Sequence, residues 1–141
     1  MSVSLESSLC FVDSNIWLYA LIRSQDERKH QVANQLLRSV RVAMSAQVVN
    51  EVSLNLMRKA KFSENQVEQF IRGCYQSHLV MDLNQAVLLR AADLRRGSYL
   101  FSFWDSLVVA AALETGADVL ISEDMQQGLV VEGVLTIHNP F

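Results

Sequence analysis

The chain has 141 residues, 50% of them hydrophobic, with one proline, five glycines and a formal net charge of −3. That length suits one domain able to bury about two thirds of its unfolded surface, and that balance excludes a disordered or low-complexity chain. The negative charge excludes a global electrostatic attraction to nucleic acid, so any such function has to rest on local basic patches or bound cations.

Leu9 to Asp13, LCFVD, reads as a short buried strand because a compact apolar run ends abruptly in an acid and small polar residues. Residues from Ser14 to about Arg23 place Trp17, Leu18, Leu21 and Ile22 at helical spacing. Ser24 with Glu27 forms a capping-box pattern for a second helix running to about Arg38. A brief strand at Val42 to Met44 precedes Ser45, a good N-cap for a helix with Val48, Val49, Val52, Leu56 and Met57 on its apolar face. Lys59 and Lys61 suit the C-terminal end of that helix.

Ser63 and Gln66 make a capping box for the next helix, through roughly Tyr75, with Val67, Phe70, Ile71 and Cys74 directed inward. A strand follows at Leu79 to Met81, then a helix from Asn84 to Arg96 carrying Val87, Leu88, Ala91 and Leu94 inward and stopped by Gly97. Phe103 to Thr115 is a further helix, ending at Gly116. Val119 to Ile121 and Val134 to Ile137 are the last strands, separated by a polar, glycine-containing loop. Short strands alternating with helices imply an α/β domain with a mainly parallel central sheet flanked by helices, in which ligands bind beyond the carboxyl ends of the strands.

Four acids sit where that rule places chemistry. Asp13 closes the first strand and Asp124 lies just beyond Val119 to Ile121; Asp105 is in the first turn of an otherwise apolar helix and Glu51 in the second turn of another. Taken singly, each has an ordinary structural role: a turn for Asp13, a solvated helix position for Glu51, a capping box with Ser102 for Asp105, a loop hydrogen bond for Asp124. Together they would repel one another by roughly 4 kcal/mol per pair at 4 Å and an effective dielectric near 20. Mg²⁺ or Mn²⁺ is the natural compensation, because hard cations take oxygen ligands and bridge carboxylates to phosphate.

The runs FVDSNIWLYAL, NEV and SFWDSLVVAAALETGADVLISEDM resemble PIN domains of the VapC type, the toxin halves of bacterial toxin–antitoxin pairs. The resemblance spans nearly the whole chain, a single PIN-like domain over residues 1–141. It implies a metal-dependent endoribonuclease that cuts structured RNA, transfer RNA being one candidate, with metal-activated water and a 5′-phosphate product. It assigns catalysis and Mg²⁺ or Mn²⁺ binding to Asp13, Glu51, Asp105 and Asp124, and matches Asn15 to the asparagine supporting the first acid. Ser122 falls on the small hydroxyl of the last motif, where orienting a ligand and serving the turn are both open roles. Between the adjacent acids Glu123 and Asp124, the resemblance favours Asp124. It further implies a homodimer and a cognate antitoxin lying across the groove.

The remaining chemistry-bearing residues take structural readings. Arg58, Lys59, Lys61, Arg95 and Arg96 suit helix ends and solvent, and His30, His78 and His138 share no metal-ligand spacing. Trp17, Tyr19, Phe103 and Trp104 are expected to pack in the core. Cys10 and Cys74 lack metal-type spacing, nothing before Leu9 has the form of a signal segment, and Leu107 to Leu113 is too short for the ~20 residues of a membrane span, so a cytoplasmic protein is expected. A phosphoryl-receiver domain would need adjacent acids after the first strand and a lysine near the last, whereas no lysine follows Lys61; Asn15 likewise breaks the D-x-D of an aspartyl phosphatase. The more serious rival is a non-catalytic PIN-like module that binds protein or RNA without cutting.

Overall fold

The computed structural model describes residue 5 and residues 8–141. Six strands, β1 (Leu9–Val12), β2 (Arg41–Ser45), β3 (Leu79–Met81), β4 (Val119–Ile121), β5 (Val130–Val131) and β6 (Leu135–His138), form one sheet in the order β3-β2-β1-β4-β6-β5. Every pairing is parallel except β5 with β6. The six helices are α1 (Ser14–Leu21), α2 (Glu27–Ser39), α3 (Ala46–Ala60), α4 (Glu64–Ser77), α5 (Gln85–Arg96) and α6 (Phe103–Glu114). The chain leaves β1 toward β2 on one side and reaches β4 on the other. The order therefore reverses at β1 and β4, which opens a crevice at their carboxyl ends.

Burial explains the strand sequences. Cys10, Phe11 and Val12 of β1 and Leu120 and Ile121 of β4 are wholly buried, since central parallel strands are covered on both faces and need no polar alternation. Helix α6 is apolar all round, from Leu107 to Leu113, because it is itself interior, packed against α5 and β2. Its alanines, Ala110, Ala111 and Ala112, let those neighbours approach closely. Burial pushes the Cys10 and Cys74 thiols up to about 11, so neither is a nucleophile near neutral pH. Among the described residues no helix is long and apolar enough to cross a membrane.

Several local expectations need correction. Helix α2 is capped by Asp26, whose carboxylate accepts the Lys29 N–H at 3.0 Å, and not by Ser24; Glu27 pairs instead with Arg23. Ile71 and Leu88 face solvent, 37% and 47% exposed, rather than the core. The loop after β4 contains the unanticipated strand β5, joined to β6 by a tight turn with positive φ at Glu132 and Gly133. Val134 lies in that turn, 63% exposed, and β6 begins one residue later than expected. Phe103 and Trp104 are not core residues, being 61% and 63% exposed; Trp17 is, at 6%, edge-on to Phe70.

Candidate active site

Asp13 leaves the end of β1 as the N-cap of α1, which aims its carboxylate into the crevice between β1 and β4. The side chain is buried and accepts two hydrogen bonds, from the Ser14 N–H at 2.8 Å and from Ser122 Oγ at 2.9 Å. Burial nevertheless dominates and raises its pKa to about 6, with the charges of Glu51 and Asp105 pushing the same way. Among the described residues no lysine or arginine forms an ion pair with it.

Glu51 and Asp124 are tied to Asp13 through neutral donors. Glu51 comes from the second turn of α3 and accepts the Ser14 hydroxyl at 2.8 Å, so Ser14 touches two carboxylates, one through its backbone and one through its side chain. Asp124 accepts Asn15 Nδ2 at 2.9 Å, while its own N–H donates to Ser122 Oγ at 3.3 Å. Ser122 is wholly buried and thus joins the first acid to the last. Asp105 sits in the first turn of α6, where Ser102 Oγ accepts its N–H at 3.1 Å. With Asp124, Leu100, Phe101 and Met125 it lines a recess of about 140 Å³.

Glu123 turns the other way. Its carboxylate pairs with Lys29 of α2, whose ammonium lies over the rings of Tyr19 and Phe141, 4.9 and 5.2 Å from their centroids. The Glu123 N–H, at 3.4 Å from Asn15 Oδ1, fixes the same asparagine that holds Asp124. Adjacent residues after β4 therefore face opposite environments, one the acids and one a cation–aromatic clamp.

All six residues singled out in the sequence, Asp13, Asn15, Glu51, Asp105, Ser122 and Asp124, belong to this one edge of the sheet. Sequence reasoning missed Ser14, visible only as the middle of D-S-N, and Lys29, which lies 94 residues from Glu123 and carries no local signal. Among the described residues no three acidic, histidine or cysteine side chains form a ready-made ligand set; serine and asparagine donors stand between the carboxylates. The donors are all hard oxygens, and Asp13 is a buried carboxylate with no cationic partner. The oxygen set suits a hard divalent cation better than a soft one, and Asp13, without a counter-charge, leaves a positive charge to be supplied.

Fold and site together define an α/β domain with an acidic crevice at the carboxyl edge of a parallel sheet. The chain belongs to the PIN domain family, whose model matches residues 10–130. PIN domains in general use divalent metal ions. No curated protein matches the sequence significantly. Among solved structures, the fold is similar to a toxin–antitoxin complex from Klebsiella pneumoniae, at a TM-score of 0.67 and 20% identity over 94% of this chain and 98% of that one. It is also similar to VapC20 of Mycobacterium tuberculosis, a sarcin–ricin-loop-cleaving toxin, at a TM-score of 0.60 and 22% identity over 79% and 86% of the two chains. VapBC2 from Rickettsia felis, bound to a promoter DNA fragment, aligns at 0.60 and 15% identity over 93% and 99%.

Proposed function

We propose that this chain is a VapC-type endoribonuclease toxin, one PIN domain cutting structured RNA with Mg²⁺ or Mn²⁺, in the cytoplasm, as a homodimer restrained by a cognate antitoxin. The observation that carries the reading is Asp13, a buried carboxylate without a cation, beside Glu51 and Asp105 and cross-linked to Asp124 through Ser122. Such an arrangement is costly for folding alone and is explained by a positive charge that arrives with function.

Asp13, Glu51, Asp105 and Asp124 would hold the ion. When bound, a Mg²⁺ or Mn²⁺ ion supplies a water of lowered pKa and a Lewis acid for the phosphodiester. The chain's own groups do the positioning. Ser14 and Ser122 fix both oxygens of Asp13, Asn15 fixes Asp124, and Ser14 fixes Glu51. The RNA cut is set by the surrounding groove, and transfer RNA is a candidate substrate.

The test is incubation of the purified, antitoxin-free chain and its Asp105→Asn variant with structured RNAs in Mg²⁺, in Mn²⁺ and in chelator, followed by end mapping. Cleavage to 5′-phosphate ends that needs both metal and Asp105 is the expected result. Equal cleavage by the variant would sink the site assignment, and failure to cut a broad RNA set would leave a non-catalytic binding module.

A further inference from the structure

The head of α6 carries aromatic surface that the core does not use. Phe103 and Trp104 are 61% and 63% exposed, and Leu100 is completely exposed. The two rings meet edge to face with centroids 6.4 Å apart. Arg95, at the end of α5, lays its guanidinium over Phe103, 4.2 Å from the ring centroid, and donates from Nη1 to Ser106 Oγ at 2.7 Å. It is thus a fixed planar cation rather than a solvated helix-end charge.

This patch adjoins the acids in the chain. Trp104 immediately precedes Asp105, and Leu100 lines the same recess as Asp105 and Asp124. In a chain of net charge −3 it joins an immobilised cation to exposed π surface beside the site read above as cutting phosphodiesters. Aromatic faces with an adjacent arginine are how proteins grip unstacked bases and their phosphates.

Resting on the ribonuclease reading of that site, we propose that Trp104, together with Arg95 held on Phe103, is a stacking platform for an unpaired base next to the bond that is cut. The platform takes only an unpaired base, because a base inside a duplex has both faces covered and cannot stack on an indole.

The chain's two tryptophans make the test direct, since Trp17 is 6% and Trp104 63% exposed. The purified full chain is titrated in chelator at low ionic strength with short oligouridylate, oligoadenylate and an RNA duplex, following tryptophan emission. Chelator makes binding independent of metal chemistry, so a chain that stacks RNA but never cuts it would sink the nuclease reading alone. Single strands should quench the exposed indole and bind at least about fivefold more tightly than duplex; Trp104→Ala should lose at least about fivefold in single-strand affinity and Trp104→Phe recover most of it. Unaltered far-ultraviolet circular dichroism would confirm that the alanine variant folds. Equal affinity for duplex and single strand, unchanged affinity in Trp104→Ala, or no binding by any strand would overturn the proposal. A blue shift of the exposed tryptophan on raising protein concentration alone would overturn it too, giving the patch to a second copy of the chain.

Discussion

Replacing Asp13 with asparagine should abolish cleavage while making the metal-free protein more stable. Burial, helped by the charges of Glu51 and Asp105, moves the Asp13 carboxyl from 3.8 up to about 6, which corresponds to roughly 3 kcal/mol against the ionised form at neutral pH. Asparagine has no charge to desolvate, but it offers one oxygen where the carboxylate accepts from both Ser14 and Ser122. Losing one of those bonds returns about 1 kcal/mol, leaving a net gain of about 2 kcal/mol and a rise in thermal midpoint of about 5 °C. The pH dependence has a definite sign. The folded-state pKa lies above the unfolded one, so the wild-type penalty is absent below pH 3.8 and complete once the pH passes about 6. The variant's advantage, measured by thermal or urea unfolding in chelator, should therefore be full at pH 7.5 and shrink as the pH falls from 6 toward 4. Mg²⁺ or Mn²⁺ should stabilise the wild type and leave the variant unmoved. An asparagine variant less stable than wild type at pH 7.5, or a difference that ignores pH, would refute the argument.

Two further outcomes follow from the geometry. Glu123→Gln should retain metal-dependent RNA cleavage within about threefold, because Glu123 faces Lys29, whereas Asp124→Asn should lose at least about a hundredfold; the reverse ranking would exchange the roles of the two acids. Arg90 joins Glu114 of α6 at 3.0 Å and Glu132 of the β5–β6 turn at 2.9 Å with its side chain one third exposed, so Arg90→Ala should cost about 1 kcal/mol in urea unfolding, less at high salt. A loss above about 3 kcal/mol would mean that water screens the pair far less than its exposure suggests.

The sequence alone determined the elements whose signal is local. The apolar run ended by Asp13 marked β1, the Ser63–Gln66 box marked the start of α4, and the apolar run after Asp105 marked the body of α6. Those same signals put four acids at one edge of a parallel sheet, because the polarity of the strands follows from their alternation with helices. The choice of cap for α2 escaped, since Ser24 and Asp26 both have the right chemistry and only the approach of the chain from α1 decides between them. The aromatic pair at the head of α6 escaped for a related reason: periodicity says which residues share a face but not whether anything covers it, and Leu107 to Leu113 are covered while Phe103 and Trp104 are not. The family resemblance favoured Asp124 over its neighbour, but only the tertiary structure supplied the partners that separate the two acids, Lys29 for Glu123 and Asn15 for Asp124, which lie 94 and 109 residues away in the chain. Contacts at that separation have no periodic or capping signature, so the clamp that Lys29, Tyr19 and Phe141 make for Glu123 became visible only in the folded sheet.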